Sequence, residues 1–329
     1  MTITADIPSI RQGPFRRVGV TMTGEATTNP DVAIIQAGLN WTADKVPLRT
    51  ADTLDVVEDY CAIRRSDDKR ILSVVGKDYE PFQNSEMFNV FRDIARVSPY
   101  KIESAGSFQN GKVVYALCNL PQLGIVLGDD YINCALLVSN SHDGRKQVTI
   151  TPTTIRIICQ NSLRMAEAQS RNERRKGKLT GGFVVKHTKN MNESIEEVKE
   201  IFNEAIRSKF ATEEIFRHLA RVPLSTKLKY DFMVSVFGKG GDESERAKTI
   251  CKNREERISA ILSSPTSQVR GTKDSAFSML NAVTEYVDHF RTTRTTDGNE
   301  NEARLMSALM GSGNVLKERA WDRMLELVG

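Results

Sequence analysis

Three side chains in the middle of the chain could do chemistry together. The stretch SNSHDGRKQVTITPTTIRIICQNSLRMAEAQSRNERRKGK, from Ser139 to Lys178, holds the pair His142–Asp143 and, further on, Cys159. A thiol beside an imidazole is the arrangement of a cysteine hydrolase, and nearby arginines would lower the thiol pKa. Against this, Cys159 shares an apolar stripe with Ile155, Ile158 and Leu163, which suits a small buried hydrophobe. Asp143–Gly144 is a hairpin-turn pair, and His142 can orient that turn by hydrogen bonds. No catalytic residue is therefore assigned, and a Cys/His hydrolase is the weakest of the readings kept. Metal chemistry has less support. His142, His187, His218 and His289 are scattered, with no HxH or HExxH spacing. The stretches DDYIN and SNSHDG would hold Mg²⁺ only if the fold brought them together. A phosphate loop is absent too, since FGKGGDESER follows a helix-like run rather than a strand. No cofactor or metal is called for.

The same stretch could instead grip something acidic. Between His142 and Lys189 there are eleven lysines and arginines against three acids, a local charge of +8 in a chain whose net charge is +4. A basic surface on an otherwise slightly acidic protein points to a polyanion. Single-strand binding needs cations that follow the phosphates and flat groups that meet the bases. Lys112, Arg145, Lys146, Arg156 and Arg164 are the candidate phosphate ligands. Lys186 and His187, at the end of a short strand, are candidates for the same site. Phe108 and Tyr115 flank the turn at Asn110–Gly111. Phe108 is the candidate stacking face, while sheet packing is the better role for Tyr115. The run Arg171 to Lys178 read alone suits a solvated loop. No zinc finger or helix-turn-helix for reading duplex DNA is visible.

These residues must be held by a mixed scaffold. Residues 1–44 look like an N-terminal arm rich in Thr, Gly and Asn. KVPLRT is an edge strand, DYCAIRR and RILSVVG are two more, and NSEMFNVFRDIA is a helix capped by Asn84 with Met87, Phe88, Phe91 and Ile94 on one face. KIESAGSF and KVVYALCNL form a hairpin, and YINCALLVSN leads through SHDGRK into QVTI. TPTTIRIICQNSLRMAEAQ reads as a helix, with Thr151–Pro152 at its start and Arg156 and Arg164 facing outward. GGFVVKHT is a further strand, and five amphipathic helices follow. The fold class is α+β, an antiparallel sheet of hairpins flanked by helices. An α/β core over 45–190 is followed by an all-helical region over 191–329.

Several stretches carry a resemblance over most of the chain, from about Lys69 to Trp321. VVGKDYEPFQNSEMFNVF, SAGSFQNGKVVYALCNLP, SHDG, TPTTIRIICQNSL, VVKHT and NAVTEYVDH together resemble a phage- and plasmid-borne family named only for a domain of unknown function, DUF932. SAFSML departs from its pattern at Ser278, where an aromatic residue is more usual. The order of helix, antiparallel sheet and basic helix is similar to the core of single-strand annealing proteins, the class of Red-beta and RecT. That resemblance implies single-stranded DNA binding, strand annealing in homologous recombination, and assembly into a ring or filament.

The expectation is a non-enzymatic single-stranded DNA-binding protein of phage or plasmid type. A protein that binds a host protein, in anti-defence or regulation, is the alternative. The composition, 40% hydrophobic and 27% charged, is that of a globular chain, and no apolar run approaches a membrane span. The stretch MTITADIPSIRQGPFRR has no apolar core of a secretory signal, and a cytoplasmic location is expected. Five widely spaced cysteines, an odd number with no CxxC, argue against a disulfide framework or a zinc site.

Overall fold

The computed structural model describes residues 18–144, 149–156, 161–164, 183–184, 191–238, 245–295 and 299–329. Its centre is an antiparallel sheet built from β1 (Val20–Thr21), β5 (Lys101–Phe108), β6 (Val113–Asn119), β8 (Asp130–Ser141), β9 (Thr149–Arg156) and β10 (Asn161–Arg164), in that spatial order. Two short strands join it: β7 (Ile125–Leu127) pairs with β8, and β11 (Phe183–Val184) pairs with β9. A smaller antiparallel sheet comprises β2 (Ala43–Arg49), β3 (Val56–Arg65) and β4 (Ile71–Gly76). The helices are α1 (Pro30–Gln36), α2 (Asn84–Val97), α3 (Met191–Arg221), α4 (Thr226–Phe237), α5 (Glu245–Leu262), α6 (Ala276–Glu285), α7 (Glu300–Met310) and α8 (Ser312–Val328). A π-helical turn, Tyr286–Phe290, continues α6. Among the described residues no helix is long and apolar enough to cross a membrane.

The α+β class is as the sequence predicts, and the hairpin β5–β6 forms around Asn110–Gly111. Gln109, Asn110 and Gly111 all take positive φ there, at 50°, 60° and 100°. The glycine suits such a turn, and Asn tolerates the left-handed region through its short polar side chain. The helix α2 buries Met87, Phe88, Phe91 and Ile94 as its spacing requires. Its cap is Gln83, in a reciprocal capping box with Glu86, and not Asn84.

Both faces of the large sheet are covered. Strands alternate their side chains between faces, so Val114, Ala116, Cys118, Leu136 and Val138 meet the helical core that includes α2 and Phe216 of α3. On the opposite face Phe108, Val113, Tyr115, Leu117 and Leu137 meet Leu305 and Leu309 of α7. The helical region shares the first core, with Phe277 and Leu280 of α6 in the same cluster as Ile132 and Leu136. It also meets the sheet through backbone: Asp129 N–H donates to the Arg270 carbonyl at 2.9 Å. Gly128 (φ +62°) and Gly271 (φ +97°) let the chains touch, since a Cβ on Gly128 would lie 2.3 Å from that carbonyl oxygen.

Two expectations are corrected. The predicted helix from Thr151 is instead β9 turning back into β10, with Ser162 opposite Ile155 and Arg164 opposite Thr153. The β-branched run Thr149–Ile155 outweighs the 3.6-residue spacing, because such side chains pack well on a pleated face. Pro152 is tolerated there: β10 pairs with 153–156 and β11 with 149–150, so among the described residues Pro152 has a strand, at Leu136, on one side only. The second correction concerns the arm. Within 18–44, α1 is capped by Asn29, whose side chain accepts from Asp31 N–H at 3.0 Å, and Ala26, Ala33, Leu39 and Trp41 are buried in the core. Tyr100 fastens the segment by donating its hydroxyl to the Thr28 carbonyl at 2.7 Å. α7 and α1 have no counterpart among the elements read from the sequence.

Candidate nucleic-acid interface

Three of the eight predicted site residues have described side chains, and two of these are buried. Arg156 is 2% exposed. Its Nε lies 2.9 and 2.7 Å from the two carboxylate oxygens of Asp130, and its Nη2 lies 2.6 Å from Oδ2. Its Nη1 donates to the Thr266 carbonyl at 2.5 Å, and Thr272 donates its hydroxyl to Asp130 Oδ2 at 3.1 Å. A guanidinium so enclosed cannot follow a phosphate backbone, and Arg156 is removed from the site. Strand alternation is the cause: Arg156, opposite Ile132, points to the face packed by the helices. The DDYIN stretch thereby acquires a role for Asp130 as counterion. Among the described residues no group of three His, Cys, Asp or Glu side chains could hold a metal ion.

Phe108 is fully buried, stacked on Tyr115 with ring centroids 4.8 Å apart and planes 17° apart. Leu305 and Leu309 close over the pair. Its predicted stacking role with a base is therefore corrected to core packing, the role expected for Tyr115. Lys112 is half-buried beside the β5–β6 turn, with its carbonyl accepting from His142 N–H at 2.7 Å. Arg164 lies in β10, but its side chain is outside the described residues, as are Arg145, Lys146, Lys186, His187 and Cys159.

The candidate hydrolase pair is taken up by structure. His142 is fully buried, and its Nε2 lies 2.9 Å from Asn84 Oδ1. Asn84 Nδ2 donates to the carbonyls of Leu39 and Trp41, at 3.0 and 3.4 Å. The His142 carbonyl accepts from Ser73 Oγ at 2.7 Å, so the residue joins the large sheet to the small one. Burial pushes its pKa down to about 4, with the Arg65 guanidinium acting in the same direction and Asp143 opposing. Asp143 accepts from Ser141 Oγ instead of orienting the ring. Burial pushes the thiols of Cys118 and Cys134 up, Cys134 to about 12, which keeps them protonated and unreactive.

What the sheet does bring together is the pair of strands that bound the most basic run. β10 and β11 both run antiparallel to β9 along the same edge, one following the other. Arg164 faces Thr153 and Phe183 faces Ile150, three residues along β9, or roughly 10 Å. The sequence between them, 165–182, carries Arg171, Arg174, Arg175, Lys176 and Lys178 against Glu167 and Glu173. Its two ends are thus fixed side by side on one edge, next to the end of the β8–β9 hairpin at Thr149.

Sequence comparison assigns a family on this architecture. A family model described as a domain of unknown function, DUF932, matches residues 71–310, from β4 through the end of α7. The chain belongs to that family. The match takes in the large sheet except β1, together with the α7 helix that closes its second face, and it leaves α1, β2 and β3 outside. No curated protein and no solved structure matches the chain.

Sequence reasoning missed the buried polar groups because their types are also common on surfaces. NAVTEYVDH turns Asn281, Thr284, Glu285, Asp288 and His289 inward, and Asp288 pairs with buried Lys317 at 2.8 Å. A DUF932 helix with so many polar side chains has no single wet face, and that was the available signal.

Proposed function

We propose that this DUF932 protein binds single-stranded nucleic acid, DNA first, along the β9 edge of its large sheet and promotes annealing of complementary strands without catalysing bond cleavage. The observation that carries the reading is the geometry of β9, β10 and β11. It anchors both ends of a run with five basic residues on one sheet edge, beside the hairpin that leads to Arg145 and Lys146. The faces of the sheet are packed, so contact with a polyanion falls to that edge. The antiparallel meander over α2 supports a likeness to the annealing class of Red-beta and RecT, as does the +8 charge of His142–Lys189. Phage or plasmid origin and assembly into a ring or filament belong to the same proposal.

The test is binding of the purified protein to a labelled single strand and to its duplex over a salt series. Affinity for the single strand should fall steeply with salt, with a log–log slope of about 0.7 per phosphate contact. Changing Arg171, Arg174, Arg175, Lys176 and Lys178 together to Gln should flatten that slope and slow annealing of complementary strands. No binding to either form at low salt would end this reading. A protein partner is the second reading, favoured by the outer face of the small sheet, where Tyr60, Ile71 and Val74 are about half exposed. It predicts a complex that salt does not weaken.

A further inference from the structure

Two ring nitrogens at the junction of the sheets are buried without a partner among the described residues: His142 Nδ1 and Trp41 Nε1. The rings are tilted against each other by 57°, with centroids 5.2 Å apart. The residues are 0% and 4% exposed. Their hydrogen-bonding characters follow from the surroundings. Asn84 spends its amide protons on the carbonyls of Leu39 and Trp41, which leaves Oδ1 facing His142 Nε2 at 2.9 Å. Nε2 must therefore carry the proton, and in a neutral imidazole Nδ1 is then a bare acceptor. The indole Nε1–H can only donate. One buried donor and one buried acceptor thus lie on neighbouring rings without bonding each other.

We infer that this junction binds one internal water, which accepts from Trp41 Nε1–H and donates to His142 Nδ1. Water is the ligand that satisfies both at once, since it donates and accepts from a single atom, and buried waters occupy polar sites with two to four partners. Space beside the indole is limited: Gly111 lies against its edge, where an added Cβ would be 3.0 Å from Trp41 Cζ2. The Arg65 guanidinium covers the indole face, 4.5 Å from the ring centroid. The water would tie the segment entering β2 to the turn that follows β8.

The experiment has two readouts on the wild-type protein. Magnetisation transfer from water to the Trp41 indole proton should give a cross-peak with the sign of a long-lived bound water. The chain has two tryptophans, so loss of one signal in Trp41→Phe assigns it. Nitrogen-15 spectra of the histidines should show His142 protonated at Nε2 and accepting a hydrogen bond at Nδ1. A dry indole proton in the folded protein, or a proton on His142 Nδ1, would overturn the assignment. If Trp41→Phe does not fold, a crystal structure that shows ordered waters decides the same question by density between the two nitrogens.

Discussion

Removing Asp130 should unfold or severely weaken the protein, because it takes away the carboxylate that faces the buried Arg156 guanidinium. In Asp130→Ala the guanidinium loses both Nε contacts and the Nη2 contact, and keeps its bond to the Thr266 carbonyl. Arginine cannot shed its proton to escape burial. Breaking a buried ion pair from one side costs about 3–5 kcal/mol. The Thr272 hydroxyl also loses its acceptor, adding about 1 kcal/mol. A loss of about 5 kcal/mol is therefore expected, a large part of the usual stability of a domain. The double variant Asp130→Leu/Arg156→Met should recover most of it, since an apolar pair of similar volume is often neutral. Urea denaturation followed by tryptophan fluorescence measures both. A loss below about 1 kcal/mol for Asp130→Ala, with no recovery in the double variant, would refute the argument that the pair is sealed from water. The same geometry reverses an expectation from the sequence. Charge reversal at Arg156 should unfold the chain, where a surface arginine would only have weakened binding.

The remaining tests address other joints. Stability should fall with acid between about pH 6.5 and 4: His142 is held neutral with a folded pKa of about 4, while the unfolded ring titrates near 6.5, so the unfolded chain binds the extra proton. The contribution is complete above pH 6.5 and loses about 3 kcal/mol by pH 4; denaturation midpoints across that range, compared with His142→Gln, should show the slope in the wild type alone. Gly128→Ala should cost about 2 kcal/mol or more, because the residue has positive φ and the methyl would strike the Arg270 carbonyl; an unchanged urea midpoint would contradict this. Phe108→Ala should cost about 3–5 kcal/mol by opening a cavity under α7. If it instead left stability intact and lowered affinity for single strands, the burial of Phe108 would not describe the protein in solution.

The parts of the fold with local signals were legible. Asn110–Gly111 and Asp143–Gly144 mark turns by the φ values they tolerate, and α2 is announced by four apolar residues on one face. β9 was misread because Ile155, Ile158 and Cys159 also fit a helix. Which period wins depends on pairing to β8, a contact between residues such as Leu136 and Pro152 that local spacing does not encode. α7 carries helix-start signals, Asn299 as its cap and Glu300 and Glu302 in its first turn, but it is short, only eleven residues. Missing α7 led directly to the wrong role for Phe108, since Leu305 and Leu309 of that helix close over its ring. Arg156 failed for a related reason: an arginine in a sequence reads as exposed until its counterion, Asp130, is found 26 residues away.

These corrections narrow the functional reading as well as altering it. With Arg156 and Phe108 withdrawn, the remaining candidates are Lys112, Arg145, Lys146, Arg164, Lys186 and His187, together with the basic run 171–178. Arg145 and Lys146 precede β9 in the sequence, Arg164 is the last residue of β10, the run 171–178 lies between β10 and β11, and Lys186 and His187 follow β11. The aromatic pair Phe108–Tyr115 is closed under α7 and offers no stacking platform to such a surface. Binding carried by charge alone should be strongly salt-dependent and indifferent to base identity. A marked preference for one base composition at fixed salt would therefore require an aromatic or polar reader beyond these basic residues, and would count against the β9 edge as the whole of the interface.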